Sequence, residues 1–280
     1  MPSPGGASGG TLYNCTLTGN SAGGGGGASG GTLYNCTLTG NSGNNGGGAC
    51  GGTLYNCIVY FNTAVNGANY YSGQVYQVGY VTLLSYCCTT PIQTTGVGNI
   101  TNAPLFVDYA GDNLHQQPNS PCVNAGNNSY VTNTTALDGL PRIVSGTVDI
   151  GAYEYQGAGS TISYAWLQQY GLPTDGSADA TDPDRDGLNT WQEWRCQTDP
   201  TNALSVLRLL TAAPAGTNLT VSWQSVAGVN YFLERSTDLS ASPPFTLLAP
   251  NLPGQPGTTS YADTNAVGTG PLFYRVGVGN

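Results

Sequence analysis

The hexapeptide Gly-Thr-Leu-Tyr-Asn-Cys occurs three times, beginning at Gly10, Gly31 and Gly52, so that equivalent residues stand 21 positions apart. A period of this length is one coil of a β-helix, in which each strand pairs with the strand of the next coil and like side chains stack in columns about 4.8 Å apart. One coil alone cannot persist, because ordering its backbone costs on the order of 20–40 kcal/mol at about 1–2 kcal/mol per residue. Stacking is therefore compulsory, and it hides the columns Leu12, Leu33, Leu54 and Cys15, Cys36, Cys57 from water. Asn14, Asn35 and Asn56 fall at the bend between the two strands of each repeat. Asn tolerates a left-handed backbone there, and stacked amides can hydrogen-bond along the column. The Gly23–Gly27 and Gly46–Gly48 runs close the coil and, lacking side chains, are expected to form its softest wall.

Charge limits the chemistry such a solenoid can host. No Asp, Glu, Lys, Arg or His precedes Asp108. General acid–base attack on polysaccharides uses paired carboxylates, and metal-assisted elimination needs carboxylate ligands plus a base, so the repeats carry no catalytic apparatus. Six Arg, no Lys and fifteen acidic residues give a formal charge of −9, which argues against nucleic acid or anionic lipid as a partner. Abundant Gly with few charged residues suits an extracellular all-β protein. No apolar run is long enough to span a bilayer. Met1–Pro4 lack the basic and apolar regions of a secretion signal, so the chain reads as a fragment whose start is not the native one.

Three of the eight Cys belong to the stacked column, where in-register packing disfavours bridge geometry, and buried thiols are expected. Cys50, Cys87, Cys88, Cys122 and Cys196 have no metal-ligand spacing among them. Tyr13, Tyr34 and Tyr55 form an aromatic ladder that would serve as a ligand stripe for glycans if the rings point outward. Thr16-Leu17-Thr18 and Thr37-Leu38-Thr39 resemble the flat Thr-X-Thr arrays of ice-binding β-helices, although the third copy is Ile58-Val59-Tyr60.

The Gly-Gly-Ala and Asn-Cys-Thr-Leu-Thr-Gly-Asn-Ser elements resemble polymorphic outer-membrane-protein and related right-handed parallel β-helix repeats. The stretch 86–156 is similar to the end of choice-of-anchor Q family proteins, through Pro104-Leu-Phe-Val-Asp108, Ser120-Pro-Cys-Val-Asn-Ala-Gly126, Asp138-Gly-Leu-Pro-Arg142 and Val148-Asp-Ile-Gly-Ala-Tyr-Glu154. The resemblance implies a bacterial secreted or surface β-helix with no established catalytic activity. The ionisable residues of these motifs, Asp138, Arg142, Asp149 and Glu154, are expected to satisfy backbone groups of a C-terminal cap. His115 is the single His and is expected to be a surface or cap residue.

Ile162–Tyr170 has the apolar spacing of a short helix stopped by Gly171 and Pro173. Asp182, Asp184 and Asp186, followed by Gly187, Leu188, Thr190 and Glu193, fit the template of a calcium loop. Alternate carboxylates of a tight turn converge on one hard cation, Leu188 offers its carbonyl, Thr190 a hydroxyl or water contact, and Glu193 closes the sphere from the next helix. The segment resembles thrombospondin type 3 and single-loop EF-hand-like repeats. From Val206 onward, short alternating strands around Trp223 look like a small fibronectin-III-like sandwich with Trp223 in its core.

The expected fold is all-β: a right-handed parallel β-helix with a cap over 1–157, a short helical segment with a calcium loop over 158–205, and a β-sandwich over 206–280. The expected function is that of a non-catalytic secreted or cell-surface repeat protein, structural or adhesive, associating with itself into fibres or with cell-surface or matrix glycans. A glycan-binding module and a polysaccharide lyase or glycoside hydrolase are the alternatives, the last by analogy of fold alone.

Overall fold

A computed structural model describes residues 5–75, 78–215, 218–266 and 270–279; the reading of Met1–Pro4 lies outside these. The chain divides into two compact units, residues 1–178 and 179–280. The helix expected near residue 165 falls in the first unit and the acidic loop in the second, so the segment 158–205 is split between the two.

The first unit is a parallel β-solenoid of about three regular turns. The first coil contributes β1 (Ala7–Ser8), β2 (Thr11–Tyr13), β3 (Thr16–Thr18) and β4 (Ser21–Gly24). The second contributes β5 (Ala28–Ser29), β6 (Thr32–Tyr34), β7 (Thr37–Thr39) and β8 (Ser42–Asn45), and the third β9 (Ala49–Cys50), β10 (Gly52–Tyr55), β11 (Ile58–Tyr60) and β12 (Thr63–Asn66). Strands pair in parallel with no slip in register: Leu12 lies beside Leu33 and Leu33 beside Leu54. A less regular coil follows, with β13 (Tyr70–Tyr71), the hairpin β14 (Gly73–Val75) and β15 (Val78–Tyr80), then β16 (Thr82–Ser85) and β17 (Cys88–Thr89), which extend the stacks. Leu33, Leu38, Leu54, Val59 and Leu84 are withdrawn from water together with Cys36, Cys57 and Cys87. Leu12, Cys15 and Leu17 in the first coil are half-buried. All eight cysteines are unbonded thiols.

Two columns of asparagine hold the corners. Asn14, Asn35 and Asn56 adopt the left-handed backbone, with φ of 49°, 51° and 51°. The second column is internal, at Asn20, Asn41 and Asn62. Asn41 Oδ1 accepts the backbone N–H of Asn20 at 2.9 Å and its amide at 3.1 Å, and Asn62 Oδ1 receives the same pair from Asn41 at 3.0 Å each. Asn41 also donates to the Leu17 carbonyl at 2.7 Å. The left-handed residue beside this column is Gly19, Gly40 and then Phe61 (φ 57°), whose unfavourable conformation is offset by ring contacts with Phe106 and Tyr109.

The glycine wall is the opposite of soft. Gly25, Gly26 and Gly27 each donate to the coil below, at 2.9, 3.0 and 2.9 Å, and all three are buried. A methyl on Gly26 would stand 2.3 Å from the Ser42 carbonyl oxygen, and one on Gly47 2.3 Å from that of Thr63. Backbone lies directly on backbone here, so the absence of side chains is a packing requirement rather than slack.

Beyond the coils, β18 (Phe106–Asp108) and β19 (Asn113–Gln116) form a hairpin, and the chain then folds back over the solenoid flank. Residues 127–135 run along the outer asparagine column: Asn56, Asn35 and Asn14 donate to the carbonyls of Asn127, Tyr130 and Thr135 at 3.0, 3.4 and 2.8 Å. Phe106, Leu114, Cys122 and Ile150 cover the outer faces of Ile58 and Cys88, and the Ala152 N–H donates to the Thr37 hydroxyl at 3.0 Å. Thr37 and Thr39 are buried, so the second Thr-X-Thr row presents no flat array to water, while Thr16 is half-buried and Thr18 exposed. The short helix α1 (Tyr164–Gln169) completes the unit, with Tyr164 and Leu167 buried.

The second unit begins with the acidic loop and α2 (Thr190–Cys196). Two antiparallel three-stranded sheets follow. β20 (Leu209–Ala215), β21 (Asn218–Ser225) and β24 (Gly257–Asp263) form one in the order β20-β21-β24; β22 (Asn230–Ser236), β23 (Thr246–Pro253) and β25 (Phe273–Val278) form the other in the order β23-β22-β25. Trp223 and Tyr231 are buried in the core, as the alternating pattern predicts for Trp223.

Replacing Gly26 with Ala forces backbone apart between coils and is expected to destabilise the protein by about 2–3 kcal/mol in denaturant unfolding. Gly79→Ala, where an added methyl meets nothing within 4 Å, is expected to change stability by less than about 0.5 kcal/mol.

Candidate functional site

The acidic loop is wound by its own carboxylates. Asp182 accepts the N–H groups of Arg185 and Gly187 at 2.7 and 3.0 Å, Asp184 that of Asp186 at 3.2 Å, and Asp186 that of Leu188 at 2.8 Å. Left-handed backbone at Arg185 and Gly187, with φ of 66° and 100°, makes the bends. One oxygen from each of Asp182, Asp184 and Asp186 then lies within 4.8 Å of the others. A capping box starts α2: Asn189 accepts the Gln192 N–H and Gln192 accepts the Asn189 N–H, both at 2.9 Å. This sets Glu193 toward the loop.

Glu193 is wholly buried, and its Oε1 accepts the Thr198 hydroxyl at 3.4 Å. Its Oε2, with Asp184 Oδ2 and Asp186 Oδ2, is occluded without a hydrogen-bond partner among the described residues. Burial, then the charges of Asp184 and Asp186, push the Glu193 carboxyl up to about 8. Three carboxylate oxygens left without a donor in so small a space repel one another, and an all-oxygen, anionic set of this kind fits a hard divalent cation. Thr190 turns its hydroxyl to the Thr181 carbonyl at 3.1 Å, tying the ends of the loop together.

A second group of ionisable residues lies in the covering segment. Asp149 accepts the N–H groups of Asn124 and Tyr155 at 2.8 and 2.6 Å, and Glu154 those of Val144 and Asp149 at 2.8 and 2.9 Å. Arg142 donates to the carbonyls of Tyr153, Asp149 and Gly151 and lies 3.6 Å from Glu154. All three side chains are buried. Each carboxylate is thus occupied with backbone amides, the structural role expected of these motifs. One guanidinium neutralises one carboxylate. Burial pushes Asp149 up to about 7, and burial together with Asp149 pushes Glu154 up to about 8.

His115 is less isolated than its uniqueness in the sequence suggests. Its ring nitrogens meet Asn113 Oδ1 at 2.8 Å and Asp138 Oδ2 at 3.0 Å, and its ring packs on Tyr153. Asp138 lies 23 residues away, a separation with no pattern in sequence.

The tyrosine ladder forms, but its faces are largely spent on itself. Tyr13, Tyr34 and Tyr55 stack at 5.0 and 5.2 Å, and Tyr130 of the covering segment stacks on Tyr55 at 4.1 Å. Tyr13 is the most open of the three, at 39% exposure.

No family model matches the chain, and no curated protein or solved structure matches it either.

The buried carboxyl pair makes stability depend on pH. Folding raises both pKa values, so the folded form holds more protons than the unfolded one between about pH 4 and pH 8, and stability falls as pH rises through that window. Thermal melts of the full chain should show a transition that declines by roughly 1–3 kcal/mol equivalent from pH 5 to pH 8.5 and a flatter profile for Glu154→Gln.

Proposed function

We propose that this chain is a non-catalytic secreted or cell-surface repeat protein with a structural or adhesive role, its second unit braced by calcium. The observation that carries the reading is how the carboxylates are used. The coils have none, Asp149 and Glu154 are engaged by backbone amides, and the remaining converging group is built of oxygens alone around a buried Glu193. The resemblance to choice-of-anchor Q and polymorphic outer-membrane-protein repeats, and a right-handed coil, accord with it. In the second unit, the sheet orders β20-β21-β24 and β23-β22-β25 favour a fibronectin-III-like sandwich. Asp182, Asp184, Asp186, the Leu188 carbonyl and Glu193 would hold the ion; Thr190 would contribute through its hydroxyl oxygen or a water.

A second reading, glycan binding, rests on Tyr13, whose ring is open at the first coil. Association with glycans or with further copies of the chain is the partner class this surface favours, since it offers hydroxyls and aromatic edges rather than charge. A lyase or hydrolase reading would pair Asp149 with Glu154, whose oxygens are instead engaged by backbone N–H groups.

Calorimetric titration should detect one calcium per chain with an affinity near 10⁻⁴ M, and about 1 mM calcium should stabilise the second unit by about 1–1.5 kcal/mol over chelator. Glu193→Gln should abolish both effects. Absence of heat and of any calcium-dependent shift would remove calcium from the account, and depolymerisation of a polyuronate that Asp149→Asn abolishes would overturn the non-catalytic reading.

A further inference from the structure

Two thiols outside the stacked column meet where the covering segment lies on the solenoid wall. Cys88 opens β17 in register with Ile58, one residue beyond the interior Cys87, so its side chain leaves the wall on the outer face. Its N–H donates to the Cys57 carbonyl at 2.9 Å, fixing it on the last regular coil. Cys122 stands in a turn of the covering segment: its carbonyl accepts the Ile150 N–H at 3.0 Å, and its own N–H donates to the Ser120 hydroxyl at 3.3 Å. Both side chains are wholly withdrawn from water, within one apolar cluster that includes Ile58, Phe106, Leu114 and Ile150. The two sulfurs are close enough that, after burial, the Cys122 thiol is the next cause pushing Cys88 up. Tyr60, beside them, is pushed up by burial and by both sulfurs.

The column thiols are placed differently. Each donates to the carbonyl two residues before it, across the bend between strands, and Cys57 and Cys87 also receive the N–H of the preceding coil's Cys at 3.4 Å, whereas Cys88 donates to the Asn102 carbonyl at 3.2 Å. Their neighbours are the repeats of the same motif. Cys88 and Cys122, by contrast, join two separate layers of the unit.

We propose that Cys88 and Cys122 are an oxidisable pair that closes into a disulfide when the chain folds in an oxidising setting, fastening the covering segment to the solenoid wall. The oxidant is a low-molecular-weight disulfide. One thiolate attacks it, forming a mixed disulfide and releasing one thiol; the second cysteine thiolate displaces the other half, so two protein thiols are oxidised as one small disulfide is reduced to two thiols. Burial of both sulfurs requires the reaction to precede docking of the segment, or to wait for its opening. The bridge closes a loop of about 35 residues, long enough for a large effect on the unfolded chain. The inference goes beyond the functional reading above and does not depend on it.

The test is to refold the full chain with glutathione disulfide, denature it without reductant, alkylate with iodoacetamide and map the peptides by mass spectrometry. Six alkylated cysteines and a Cys88–Cys122 linked peptide, 2 Da lighter than the two thiol peptides together, are expected, as is a melting temperature roughly 10 °C above that of the reduced chain. The variant C88S/C122S should melt like the reduced chain and gain nothing from the oxidant. Eight alkylated cysteines, a different linked pair, or the two thiols recovered with a bound soft metal ion would each overturn the proposal.

Discussion

The stacking of asparagine amides at the corners is the interaction on which the solenoid depends. A β-helix coil must turn between strands, and at each turn the backbone leaves N–H and C=O groups that the parallel ladders do not reach. Asn41 answers this within the wall: its oxygen accepts two donors from the coil above, and its nitrogen reaches both the Leu17 carbonyl and the next Asn. The chain meets its polar demand at the corners with neutral amides, and it can therefore dispense with charge over its first hundred residues. A charged side chain at the same place would have to be desolvated and paired.

Neutral coils leave the outer surface open to a second use of the same amides. Asn14, Asn35 and Asn56 turn outward and bind the backbone of residues 127–135, so the covering segment is held by a row of hydrogen bonds with the spacing of the coils. Its buried carboxylates then satisfy its own turns, with Arg142 at the centre. In the second unit Glu193 Oε2, Asp184 Oδ2 and Asp186 Oδ2 are left without a donor among the described residues, so repulsion between carboxylates is concentrated in the acidic loop rather than in the solenoid.

Much of this was legible in the residues because repetition makes burial visible. Equal spacing of Leu12, Leu33 and Leu54 names the inward face, and the left-handed turns at Asn14, Asn35 and Asn56 follow from what Asn tolerates. The acidic loop was legible because its carboxylates are close in sequence. Less visible were the contacts between distant residues that share no period. Nothing in the spacing places Tyr130 on Tyr55, Asp138 on His115 or Cys122 beside Cys88. The glycine runs misled for a related reason: a missing side chain reads as freedom until the neighbouring backbone, which sits where the methyl would go, is known.

Replacing Asn41 with Ala while leaving the strands intact tests the corner amides most directly. Denaturant unfolding of the full chain should show a loss of about 2–4 kcal/mol, because buried groups on two neighbouring coils lose their partner together. Asn66→Ala, which removes an exposed amide bonded at 3.0 Å to Asn45, should cost less than about 0.5 kcal/mol. Equal, small losses at both positions would mean that the coils are held by their apolar interior and backbone ladders alone, contradicting the account.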